Sequence, residues 1–269
     1  MLTITSAELN TAIAMLLWPL TRILGLLSVA PLFGNVSVPA RVKLGLGIML
    51  ALIIAPTVPA TPALDPASLT GLLIMAQQLV IGMAMGFAMR VVFAAVELAG
   101  EISGLTMGLG FASFFDPQTR ARSSAVSQFL ALLSLMTYLA SNLHLVLLTT
   151  LTESFTTLPI TAAPLNGQAL REIAFWGGRI FSAGVQLSLP IVAALLITNL
   201  ALGILTRAAP QLNLFGIGFP ITLGIGFVML TIALPYMATP LAHLFQEGIV
   251  EINRMTKATL PLAAVSSTP

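Results

Sequence analysis

Apolar residues run through this chain in six long blocks, at roughly residues 11–33, 44–60, 69–96, 125–151, 173–205 and 212–245. Each reaches the roughly 17 residues or more that a helix needs to cross a hydrocarbon core. Inside lipid, a spanning segment must satisfy its own backbone N–H and C=O groups, which leaves helices or closed-barrel strands. The length and unbroken apolarity of these blocks select helices. Breaker-rich connectors separate them. The first carries Gly34, Asn35, Ser37 and Pro39 ahead of Arg41 and Lys43, and the second is a Pro/Thr/Ala stretch at 59–66 with Asp65. The others fall at 116–124, 153–172 and 206–211. No repeat of 20–50 residues is visible, and no low-complexity tail.

Lys and Arg close to span ends set the sides of a membrane chain. Arg41 and Lys43 put the first connector in the cytoplasm, Arg120 and Arg122 the third, and Arg207 the fifth. The connectors with Asp65 and with Glu153, Arg171 and Glu172 then alternate to the outside, as do both termini. Near the C-terminus Arg254 and Lys257 oppose that assignment, balanced by Glu247 and Glu251. No Lys or Arg precedes Arg22, so the first block is expected to be a retained span rather than a cleaved leader.

Prolines complicate a simple six-span layout. Pro190 lies in the fifth block, and Pro220, Pro235 and Pro240 in the sixth, which also holds Gly216, Gly218, Gly224 and Gly226. Broken helices at membrane depth are tolerated where protein or an aqueous cavity covers them. The expected fold is all-α: a polytopic membrane protein of about six apolar helical blocks, several kinked or broken into hairpins. It forms a single integral membrane domain over residues 1–269 with a short polar C-terminal tail.

Composition supports this and narrows the chemistry. The chain is 57% hydrophobic and 7% charged, with nine acids and eleven bases, too few to coat a water-facing surface. Its mean hydropathy is +1.01. A net charge of +2 is too small to imply a nucleic-acid partner, and the absence of cysteine excludes disulfides and thiolate chemistry. His144 and His243 are isolated from any partner at metal-ligand spacing, and Gly108-Leu109-Gly110 lacks the βαβ context of a dinucleotide fingerprint. No enzyme activity, cofactor or metal is expected.

Charges in or beside apolar blocks are the first functional suspects: Arg22, Arg90, Glu97, Glu101, Arg179 and Arg207. Arg90, Glu97 and Glu101 share one helical face, since offsets of seven and four return to the same side. Two readings follow, a proton relay or, as carried forward here, carboxylates past the end of the third span that pair with a neighbour or meet water. Glycines four apart recur at Gly82 and Gly86 and at Gly100, Gly104 and Gly108, a spacing that lets another backbone approach closely. Met107 to Pro117 then brings Met107, Phe111, Phe114, Phe115, Asp116 and Pro117 around a glycine-loosened turn. Flexible thioether and broad aromatic faces suit either a deformable seal or ordinary helix-end packing.

Further signals are collinear with a known family. Trp18, Pro19, Leu20 and Arg22 are followed by Ala30-Pro31 and by an unbroken match from Ser37 through Leu46. Gln77, Gln78, Gly82, Gly86 and Phe87 come next, then Ala99 to Ile102, Met107 to Leu109, Phe111, Ala112, Asp116 and Pro117. His144, Phe155, Leu158 to Ile160 and Pro164 to Asn166 precede the strongest stretch. That stretch holds Asn199 to Gly203, Leu205, Arg207, Ala209 to Asn213 and Ile217 to Pro220. In order and spacing the chain resembles the FliR family of type III export apparatus proteins, up to about residue 245. It departs at Asn142-Leu143-His144, where the family usually has Asn-Gly-His, which bears on local helix geometry.

The resemblance implies a core subunit of the flagellar protein export gate in the bacterial inner membrane, at the flagellar basal body. Partners implied are FliP-type and FliQ-type gate subunits, FlhB-type and FlhA-type export proteins, unfolded flagellar substrates in transit and membrane lipid. It further implies a FliP-like part at about 1–165, a FliQ-like part at about 166–250, and a loop at roughly 106–122 that plugs the pore. An injectisome export-gate subunit of the same family is the near alternative. A secondary transporter is the distant one, since its inverted repeats and midplane polar site are not evident beyond Gln77, Gln78, Gln186 and Asn199.

Overall fold

The computed structural model describes residues 6–59, 62, 64–111, 124–161, 167–209 and 214–258. Among the described residues the chain is all-α, with no strand. The helices are α1 (Ser6–Val29), α2 (Ala40–Ile54), α3 (Leu69–Thr106), α4 (Ala125–Ala140), α5 (Leu143–Thr157), α6 (Gly167–Gly177), α7 (Arg179–Ala208) and α8 (Leu214–Ala258). Short 3₁₀ turns cover Ala55–Thr57 and Leu109–Phe111.

Each apolar block holds α-helix over most of its described residues, but its breaks do not follow hydropathy. The third block continues to Thr106 as one helix of 38 residues, so Glu97 and Glu101 stand inside it. The fourth divides at Ser141 and Asn142, where Asn142 takes a left-handed backbone (φ 54°, ψ 22°) at the start of α5. Asparagine tolerates that region better than most side chains. The fifth divides at Gly178 into α6 and α7. By contrast, α7 carries Pro190, and α8 carries Pro220, Pro235 and Pro240, without interruption. Each proline removes one backbone donor, and the surrounding turns hold the helix.

Four described stretches are long and apolar enough to cross a membrane: Ala40–Thr57, Leu69–Thr106, Arg171–Ala208 and Gly216–Lys257. The pair α4 and α5 would supply a fifth if taken as one span, and α1 contributes a shorter apolar stretch, Ile13–Val29.

The chain forms two compact units. The first comprises Met1–Val91, Asn142–Gly177 and Gln246–Pro269, and the second Val92–Ser141 and Gly178–Phe245. In the first, α1 and α3 meet backbone to backbone. A Cβ on Gly25 would stand 2.5 Å from the Leu79 carbonyl oxygen, and one on Gly86 would stand 2.9 Å from both Leu26 O and Ala30 N. A Cβ on Gly82 would overlap the Arg22 carbonyl oxygen outright. Trp18, Ile23, Leu26, Leu27, Ile74, Met85 and Met89 are buried in this unit.

In the second unit, the end of α3 packs on α4. Gly100 lies against the backbone of Ser127, and a Cβ on Gly104 would come within 2.8 Å of Ser124 Cβ. Gly184 of α7 lies against Leu98 and the Ala95 carbonyl. Phe93, Tyr138 and Phe245 form a buried aromatic triangle with ring centroids 5.5–5.6 Å apart. The glycine spacing noted in the sequence therefore serves packing within the chain at both sites.

Replacement Gly82→Val should cost more than the about 1–3 kcal/mol of ordinary overpacking, because the obstacle is main chain rather than a movable side chain. Loss of folded protein from detergent extracts checks this, and normal recovery would count against the seam. Gly104→Leu, which must displace Ser124, should likewise prevent recovery of an intact complex on mild purification.

Candidate functional site

Arg22 is the most informative of the sequence-selected charges. It sits in α1 with no exposed surface. Its Nε donates to Gln78 Oε1 at 2.8 Å, and Nη1 donates to Ser154 O at 2.8 Å and to Ser154 Oγ at 3.0 Å. Nη2 donates to Leu158 O at 2.9 Å, and the guanidinium lies over the Phe155 ring, 4.3 Å from its centroid. None of these partners is a carboxylate. A planar cation with fixed donors can be held by neutral acceptors and an aromatic face at once. The carbonyls of Ser154 and Leu158 close the last turn of α5, where unpaired C=O groups carry partial negative charge. Arg22 therefore ties α1 and α3 to the end of α5. Gln78 and Phe155 were visible in the sequence as separate signals, but nothing in their spacing joins them to Arg22.

Glu101 by its carboxylate and Glu97 by its main-chain carbonyl both meet α4 from the end of α3. Glu101 Oε2 accepts the Ser124 N–H at 2.8 Å, at the start of α4. Ser124 Oγ in turn accepts from Ser127 N at 3.1 Å and donates to Gly100 O at 3.2 Å. Ser127 Oγ donates to the Glu97 carbonyl at 2.8 Å. Glu101 thus satisfies an otherwise unpaired donor at a helix N-terminus, where negative charge is favoured. Glu97 and Glu101 also line an open groove of about 750 Å³, faced by Ser127, Gln128, Ile180 and Phe181. Ser124 and Ser127 thus cap the start of α4 and join it to the end of α3.

The other selected residues fall in different settings. Arg90 is exposed on α3, and Arg207 is exposed in the last turn of α7, where a cation complements the helix C-terminus. Near the C-terminus Arg254 Nη1 meets Glu251 Oε2 at 3.0 Å, so the charge balance noted there includes a real ion pair. Met107 is fully buried, and Gly108 turns the chain with φ 89°. Phe111 ends the 3₁₀ turn after α3. Phe114, Phe115, Asp116 and Pro117 lie outside the described residues. Among the described residues no three His, Asp or Glu side chains converge as a metal site would need.

The arrangement joins helices, caps their ends and shields charge.

Comparison with known proteins places these features in context. The family model described as bacterial export proteins, family 1, matches residues 13–248. The chain is 43% identical over 249 residues to the flagellar biosynthetic protein FliR of Pectobacterium carotovorum subsp. carotovorum, covering 92% of this chain and 94% of that one. It is 43% identical over 247 residues to the protein of the same name in Escherichia coli strain K12, again covering 92% and 94%. With the Bacillus subtilis strain 168 protein of that name it shares 33% identity over 230 residues, covering 84% and 88%.

Replacement Arg22→Met should destabilise the protein by roughly 2–5 kcal/mol, because it takes the buried donors away from Gln78 Oε1 and the Leu158 carbonyl and unties α1 from α5. Arg22→Lys should rescue only part, since a compact ammonium cannot serve acceptors spread around a planar fork. Thermal unfolding of the purified protein measures both, and an unchanged midpoint for Arg22→Met would refute the assignment.

Proposed function

Because the chain belongs to the bacterial export proteins, family 1, we propose that it is a FliR-type component of the flagellar type III protein export apparatus. The observation that carries the reading is the match along nearly the whole chain to relatives named flagellar biosynthetic protein FliR. It is a multi-pass protein of the bacterial inner membrane, positioned at the flagellar basal body. With FliP-type and FliQ-type subunits it forms the channel for unfolded flagellar proteins, and FlhB-type and FlhA-type proteins act at the cytoplasmic mouth. Residues of about 1–165 form its FliP-like part and about 166–250 its FliQ-like part.

Two structural features support an assembled role. The described stretch Arg171–Ala208 has only 11% of its apolar window buried inside the chain, and Gly216–Lys257 has 22%, against 61% for Leu69–Thr106. The first two thus offer most of their surface to other helices or to lipid, while α3 serves as the internal post. The buried charges are also committed to packing, which fits a conduit component that performs no reaction of its own.

Within this reading, the segment at roughly 106–122 is the plug, and Phe111, Phe114 and Phe115 seal the closed channel. Replacing all three by Ala should raise ion leakage through the assembled gate in reconstituted vesicles. Wild-type conductance in a variant that still assembles would sink the plug assignment.

A further inference from the structure

Met107 packs onto α8 at a position where glycine leaves room for its side chain. Its side chain is fully buried. It rests on the bare backbone of Gly226, where an added Cβ would overlap Met107 Cγ and come within 2.8 Å of Cε and 2.9 Å of Sδ. One turn earlier on α8, Thr222 Oγ1 makes a long contact of 3.4 Å to the Met107 carbonyl while bonding Phe219 O at 3.0 Å. An unbranched thioether fills such a flat notch without any polar requirement of its own.

The position of this contact along the chain gives it consequence. α3 ends at Thr106, and Met107 N still bonds Ser103 O at 3.0 Å. Gly108 then reverses the backbone at φ 89°, and the 3₁₀ turn Leu109–Phe111 begins. Met107 is therefore the last side chain anchored before the chain leaves the helix. We infer that Gly226 is a positioning residue: its bare backbone is the socket that holds Met107 and so fixes the root of the segment starting at Leu109. The socket also couples that root to α8, since a shift of Gly226 along the helix axis releases Met107. The functional weight of this anchor rests on the proposed reading that the segment seals the channel.

The test uses the intact complex purified from membranes. The chain has no cysteine, so Ser113→Cys gives it a single maleimide target after the anchor, and Ser141→Cys, at an exposed turn, gives a control. Gly226→Ala overfills the socket and Met107→Ala empties it. Both should raise labelling at position 113 at least several-fold and leave position 141 unchanged. Combined, they should do no more than the stronger single change, because they break the same contact. Unchanged labelling at 113 in the assembled variants would overturn the inference, as would an equal rise at 141 or additive effects. Should Gly226→Ala fail to assemble, Met107→Ala, which adds no atoms, decides alone; its own failure to assemble would mark the contact as core packing and also count against the inference. Leakage separates this idea from the one it rests on. If the triple Phe→Ala variant leaks and the two socket variants do not, the anchor fails and the plug stands. If the triple variant does not leak, the plug fails, and the labelling still reports on the socket.

Discussion

The close approach of α1 to α3 depends on glycine, and much of the first unit follows from it. At Gly25, Gly82 and Gly86 the two backbones lie where a single methyl group would collide with main-chain atoms. Such contact gives dense van der Waals packing, which is what drives helix association where lipid removes the hydrophobic incentive. It also sets the depth at which Arg22 sits. The carbonyl of Arg22 is the atom that Gly82 accommodates, and the side chain of the same residue reaches Gln78 on α3 and the end of α5. Backbone seam and buried cation are thus two halves of one joint. Widening the seam would draw the guanidinium off its acceptors, and removing the guanidinium would leave the seam without its third helix.

Several charges of this chain are met by neutral groups rather than by an opposite charge. Arg22 is surrounded by neutral acceptors and an aromatic face rather than a counter-ion. Glu101 is placed against the N–H of Ser124 as α4 begins, and Arg207 stands in the last turn of α7. For Glu101 the partner is backbone, and at both of these helix ends the terminus supplies the opposite partial charge. This solution needs no second ionised group at depth, and it explains why so few acids and bases suffice. At the end of α3 the Glu101 carboxylate and the Glu97 main-chain carbonyl both serve the start of α4.

The sequence made the six blocks legible because their apolarity is continuous over tens of residues, and it marked Arg22 because a charge so placed is costly. It marked Gly82 and Gly86 by spacing alone. The partners of Arg22 were out of reach, because Gln78, Ser154 and Leu158 lie 56, 132 and 136 positions away, and no periodicity links them. The end of α3 was placed near residue 96 because hydropathy falls at the carboxylates, whereas the helix continues to Thr106 on the strength of its packing against Ser124 and Ser127. Similarly, prolines looked like the breaks, yet the chain breaks at Asn142 and Gly178. At Asn142 a left-handed residue ends helical geometry at once, whereas Gly178 keeps right-handed angles (φ −62°, ψ −20°) and one missing proline donor inside a long helix does not end it. The Met107 socket was half visible: Met107 stood out, but Gly226 was only one glycine among several in its block.

The prolines matter for a different reason, which concerns the surface. Pro190, Pro220, Pro235 and Pro240 are all exposed on α7 and α8. Each lacks the N–H that would have bonded the carbonyl four residues earlier, so the carbonyls at Gln186 and Tyr236, both exposed residues, lose their helical donors. Those two residues line one recess with Pro190 and Pro240, a pocket of about 360 Å³ between α7 and α8. In plain lipid such carbonyls carry a penalty, since hydrocarbon offers no donor. Against a neighbouring helix they become acceptors for Ser, Thr, Asn or Gln side chains. An apolar surface that carries spare acceptors at its kinks is better matched to protein than to hydrocarbon. That is the physical ground on which a chain so hydrophobic reads as one part of a membrane-embedded assembly rather than as a free-standing bundle.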